Sequence, residues 1–146
     1  MNKYKHTQIG YFLIGALGAA VLFIGYLNFI TRFNPGTVLV LIFMILCLIT
    51  FATLTVQVNS EAVTIRFGMG VIRRHFALGN IQACHVVRNP WYYAWGIHAI
   101  PNGLIFNVSG WEAVELQMRD GKKYRIGTDD SQGLMRAIEA SLRPTT

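Results

Sequence analysis

Two long apolar runs, separated only by the six residues TRFNPG at 31–36, constrain this chain more than any other feature. The first, Ile9 to Ile30, holds 22 residues and no charge. As a helix rising about 1.5 Å per residue it extends about 33 Å, matching a bilayer core of about 30 Å. The second, Thr37 to Val56, holds 20 uncharged residues and is denser in Leu, Ile, Val, Phe and Met. Neither run leaves a polar face for water. Two transmembrane helices over about 9–30 and 37–56 are expected, and Asn34, Pro35 and Gly36 between them read as a tight turn.

An apolar content of 53 % in 146 residues is unusual for one soluble domain. It is ordinary for a helix hairpin carrying a domain of about 90 residues. The division expected is therefore 1–56, a tail plus hairpin, and 57–146, a polar domain. The opening MNKYKHTQ resembles the start of a signal peptide, but the run behind it is too long for an h-region and shows no small-residue cleavage pattern, so an uncleaved first span is expected. Lys3 and Lys5 precede the first run, Arg32 sits in the connection, and Arg66, Arg73 and Arg74 follow the second. The positive-inside rule then places both termini in the cytoplasm of a multi-pass membrane protein. Cys47 and Cys84 fall in different parts of the chain, which does not suggest a disulfide framework.

Inside the first run, Gly15, Gly18, Ala19 and Gly25 lie on or near one helical face, a pattern that permits close helix packing and is also common in membrane helices at large. Neither run contains Asp, Glu, Lys, Arg or His, which argues against an intramembrane ion or proton pathway. From Thr53 the period changes to two. Alternating stretches at 53–59, 62–67, 71–78, 81–87, 104–108, 114–118 and 122–127 read as seven short strands. Leu134, Ile138 and Leu142 recur at helical spacing, with Thr128 or Asp129 placed to cap a C-terminal helix.

Residues 88–103, RNPWYYAWGIHAIPNG, do not read as a regular element and place Trp91, Tyr92, Tyr93 and Trp95 within five positions. Three readings stand: a loop contacting membrane, a loop contacting another protein, or rings folded back as core. Arg66, Arg73, Arg74, Lys122, Lys123 and Arg125 make several strands basic, as a solvated face or as contacts for anionic headgroups. Nucleic acid is not an expected partner, since no reading element accompanies the charge. Enzyme chemistry finds little support. Cys84 and His85 are adjacent in a strand and point to opposite faces, the histidines lack metal-ligand spacing, and no phosphate loop or nucleophile elbow is present. No catalytic residue, metal, cofactor or small-molecule substrate is expected.

The segments GMGVIRRHFAL at 68–78, IQACHVVRNPWYYAWGIH at 81–98, NVSGWEAVELQMRDGKKYRIGTDD at 107–130 and the final LMRAIEA resemble small bacterial membrane proteins with a pleckstrin-homology-like domain behind a two-helix hairpin. The resemblance implies an α+β membrane protein with a seven-stranded curved β-barrel closed by the C-terminal helix, in the bacterial cytoplasmic membrane. The basic hairpin of phosphoinositide-binding relatives is absent here. The expected function is a non-enzymatic, membrane-anchored module for protein interaction or assembly. Anionic-lipid binding and an accessory role in transport are the alternatives. Expected partners are the lipid bilayer and another membrane protein or copies of this chain.

Overall fold

The topology is set by a strand that precedes the apolar runs. The computed structural model describes residues 3–93 and 95–143; the first two residues of the MNKYKHTQ opening, Ala94 of the aromatic stretch and 144–146 lie outside the described residues. In order come β1 (Tyr4–Ile9), α1 (Tyr11–Ile30), α2 (Pro35–Phe51), β2 (Thr53–Val58), β3 (Ala62–Phe67), β4 (Ile72–Ala77), β5 (Ile81–Arg88), β6 (Gly96–Ile100), β7 (Gly103–Asn107), β8 (Glu112–Met118), β9 (Lys123–Gly127) and α3 (Ser131–Leu142). β1 pairs antiparallel with β2, from Tyr4 opposite Val58 to Ile9 opposite Thr53. The two apolar helices are thus an excursion inside a β-hairpin. The Gly10 amide donates to the Ala52 carbonyl at 2.8 Å where the chain leaves and returns.

This corrects the expected fold. A seven-stranded barrel does not form: the strands lie in two separate sheets, in the orders β1-β2-β3-β4 and β5-β8-β9-β7-β6, and neither closes. A short 3-10 turn at Leu78–Asn80 carries the chain from β4, an edge of one sheet, to β5, an edge of the other. β1 takes the free side of β2, so the first sheet ends there as well. Two strands, β1 and β6, carry no periodic signal in the sequence. In β1 the alternation is Tyr4, His6, Gln8 against Lys5, Thr7, Ile9, with a single aliphatic, so the period carries no hydrophobic signal. β6 is short and framed by Gly96 and Pro101.

The expected spans also need correction. Ile9 belongs to β1, and the apolar run past Phe51 is the start of β2, where Leu54, Val56 and Val58 are buried in the domain core. Core residues of a strand had extended the apparent helix. Among the described residues, Tyr11–Ile30 is the one helix long and apolar enough to cross a membrane. Pro35–Phe51 has 17 residues, short of the about 20 a crossing uses. The multi-pass assignment, with both termini cytoplasmic, rested on two full spans and falls with them.

The inward residues of the first sheet (Leu54, Val56, Val63, Ile65 and Phe67) meet Val114, Leu116, Ile126 and Phe106 of the second. Rings knit the two layers, with Phe76 standing 4.8 Å from Tyr124 and 6.3 Å from Phe106. Leu134 and Ile138 of α3 are fully buried in this core. Asp130 caps α3, its Oδ1 accepting from the Gly133 amide at 3.1 Å, while Thr128 Oγ1 accepts from the Asp130 amide. β1 is held from the side: the Tyr4 hydroxyl donates to Asp130 Oδ2 at 2.9 Å, His6 Nε2 pairs with Asp129, and Gln8 Nε2 donates to the Ser109 carbonyl at 2.7 Å. Burial, then Asp130 as acceptor and as charge, raises the Tyr4 pKa well above the usual tyrosine range.

The parallel β7–β9 contact leaves no room for a side chain at Gly103, where a Cβ would lie 1.5 Å from the Lys123 carbonyl oxygen. Gly103→Ala is expected to cost about 3 kcal/mol or more through forced separation of the two strands. Gly121→Ala, at φ +85° with open space around it, is expected to lose only about 1 kcal/mol. Denaturant unfolding of the detergent-solubilised protein checks the difference. Equal losses would mean the strands separate without penalty.

Candidate functional site

The end of the five-stranded sheet nearest the helices carries the unusual chemistry. β5 and β6 are its two edges, so the chain from Arg88 to Gly96 must cross from one side of the sheet to the other. It crosses over the face turned away from the core. Asn89 starts the crossing, its amide donating to the Trp111 carbonyl at 2.6 Å, and Trp91–Tyr93 forms one 3-10 turn.

Under this crossover lies an ionic cluster. Glu115 of β8 and Arg125 of β9 are cross-strand neighbours, and Arg125 Nε donates to Glu115 Oε2 at 2.7 Å. Lys123 Nζ stands 3.7 Å from Glu115 Oε1. The Tyr93 ring covers the guanidinium, with 5.5 Å from Cζ to the ring centroid, and Arg125 Nη1 donates to Asn89 Oδ1 at 3.3 Å. Glu115 is 5 % exposed. Burial alone raises its pKa. The Arg125 hydrogen bond and charge, with the Lys123 charge, outweigh that and hold the carboxyl below the usual glutamate range.

The four aromatic residues singled out in the sequence therefore divide. Tyr93 and Trp95 turn inward, while Trp91 and Tyr92 are exposed. Trp95 stacks on Phe12 of α1 at 4.3 Å between centroids and stands 5.9 Å from Trp111. Trp111, Trp91, Pro90, Asn89 and Arg88 then enclose an open cleft of about 470 Å³. Asn89 is 5 % exposed, and its Nδ2 has no hydrogen-bond partner. Arg88 is exposed and has no ion pair among the described residues. Its cross-strand neighbour Glu112 accepts instead from Ser131 Oγ at 2.6 Å.

The basic residues do not form one patch. Arg66 and Arg73 are register partners on the outer face of the first sheet, where Arg66 Nη2 donates to Gln57 Oε1 and Arg73 Nε to the Gly70 carbonyl. Arg74 occupies the alternate register position of the edge strand β4, Lys122 pairs with Asp120 in a turn, and Lys123 and Arg125 belong to Glu115. Gly15, Gly18 and Gly25 face open space rather than α2, and Ala19 is exposed. Cys84 is buried, and burial followed by the charge of Glu139 pushes its thiol up to about 11. Among the described residues no group of three or more His, Cys, Asp and Glu is placed to hold a metal ion.

Sequence reasoning did not single out Phe12, Asn89, Trp111 or Glu115. Trp111 stands alone behind NVSG, and Glu115 looks like any alternating strand residue. What marks both is position at the sheet end, which has no linear signature. No family model, curated protein or solved structure matches the chain. The function expected, a PH-like module hung from two full membrane spans for protein interaction, with its lipid-headgroup and transport alternatives, rested on a closed barrel and on both crossings. Two open sheets and one helix of sufficient length overturn it.

Glu115→Gln is expected to destabilise the domain by about 3 kcal/mol at pH 7 by leaving Arg125 and Lys123 without their counter-charge. A folded pKa held below the unfolded value of about 4.3 contributes stability above that value and loses it as pH falls through the folded pKa. The gap between wild type and variant should then narrow below about pH 4. Urea unfolding across pH 3–7 measures it, and a gap independent of pH would contradict the ionised assignment.

Proposed function

We propose that this protein acts by binding rather than catalysis, and that the lipid bilayer is the partner of the α1–α2 hairpin. The observation carrying this is the broad apolar surface that both helices leave uncovered. Leu22 and Phe23 of α1 are 76 % and 62 % exposed, and Leu39, Ile42, Phe43 and Leu46 of α2 are exposed as well. Asn28 is the one fully buried residue of the two helices. A soluble monomer does not hold so large an apolar surface in water.

The polar groups of the hairpin support hydrocarbon as its surroundings. Asn28 Nδ2 donates to the Ile24 carbonyl, Thr37 Oγ1 donates to Asn28 Oδ1 at 2.7 Å, and Thr31 Oγ1 donates to the Leu27 carbonyl. Asn34 Oδ1 accepts from the Gly36 amide at the turn. These side chains are satisfied within the hairpin, the condition a medium without hydrogen-bonding capacity imposes. Tyr11 and Phe12 lie exposed at the base of the hairpin, where rings suit the interface.

Flotation with phosphatidylcholine vesicles tests this. The wild-type chain is expected to float. Leu22→Arg, at an exposed central position, should weaken partition by about 3 kcal/mol, on the order of 100-fold. A wild-type chain that stays in the aqueous fraction as a defined oligomer would assign the apolar surface to protein contact instead.

A further inference from the structure

The cleft at the sheet end has a chemistry of its own, separate from the helices. Two indole rings, Trp91 and Trp111, stand with Pro90 around it, offering flat apolar faces. Trp91 is 79 % exposed and Trp111 43 %. Charge enters from one residue, Arg88, whose neighbouring carboxylate is engaged by Ser131. The floor is Asn89. Arg125 occupies its Oδ1, which fixes the amide so that Nδ2 is the group without a partner. That donor is buried beneath the cleft surface, so Asn89 serves the cleft as its floor.

We infer that this cleft binds a carboxylate carried on a planar apolar body. Guanidinium binds carboxylate in a planar fork, and the body lies against the indole faces. Carboxylate fits better than phosphate, because the cleft offers one cation, Arg88. Among the described residues that line it, no second basic side chain stands to meet a dianion. The volume lies in the range of small-ligand sites, and the ionic cluster behind Asn89 holds its floor rigid. A free aromatic acid and the C-terminal carboxylate of a peptide ending in an aromatic residue share this chemistry.

Fluorine NMR on the full chain in lipid nanodiscs tests the assignment with 4-(trifluoromethyl)phenylacetate and its neutral amide. The acid is expected to bind the wild type about tenfold or more tightly than the amide. Arg88→Gln should remove that preference and leave amide binding unchanged, while Trp91→Ala weakens both probes; thermal unfolding confirms that each variant is folded. A tripeptide ending in 4-(trifluoromethyl)phenylalanine, with free or amidated terminus, separates the sources: tighter binding than the small acid assigns a chain end, weaker binding a free acid. Equal binding of acid and amide, an unchanged preference in Arg88→Gln, or no binding of any probe at about 10 mM would overturn the inference.

Discussion

The structure depends on the pairing of β1 with β2 across everything between Gly10 and Ala52. Closing so long a segment carries an entropic cost that grows with its length. Here the segment itself is organised to return. Asn28 and Thr37 tie the two helices near their far ends, Asn34 caps α2, and Pro35 starts it. An antiparallel helix pair delivers its second end beside its first. The ladder from Ile9–Thr53 to Tyr4–Val58 then forms where the helices bring the chain. Gly10 and Gly68 make the junction close. A Cβ at Gly10 would meet the Val108 carbonyl at 3.0 Å, and one at Gly68 would lie 2.4 Å from the Ile49 carbonyl. The four-stranded sheet therefore abuts the last turn of α2 directly.

A second dependence links the ionic cluster to the aromatic stretch. A carboxylate as buried as Glu115 is stable only with its partners in place and water kept away. Arg125 and Lys123 supply the charge. The crossover from β5 to β6 supplies the cover, through Tyr93 over the guanidinium and Asn89 beside it. The same constraint explains the outward rings. Once Tyr93 is committed to Arg125, the one-turn 3-10 geometry leaves Trp91 and Tyr92 on the solvent side.

What the sequence made legible was whatever repeats along one element. The periods of β2, β3 and β8, the Asn34-Pro35-Gly36 turn and the spacing of α3 could all be read from neighbours in the chain. What it hid was pairing. β1 looks like a charged tail because its anchors, Asp129, Asp130 and Ser109, lie more than a hundred residues away. The apolar run to Val56 looked like one helix because hydrocarbon and a protein core select the same side chains. Counting strands likewise could not say that β4 and β5 part into separate sheets. The site was legible only in part: four rings were visible as a cluster, but not that two face inward or that Trp111 completes the wall.

Phe12 and Trp95 explain how a small domain keeps a fixed attitude to a long hairpin. Leu13 and Phe51 reach the core from the helix ends, and Phe51 meets Phe67 edge-on at 5.5 Å. Those contacts lie close to the point where the chain enters and leaves, so they have little leverage against tilting. The Phe12–Trp95 stack adds a contact to the five-stranded sheet rather than the four-stranded one. With both sheets engaged, tilting the hairpin would break packed aromatic surface as well as strand ends. Trp111 stands against Trp95 on the other side, so the wall of the cleft is braced by the same stack that holds the helices.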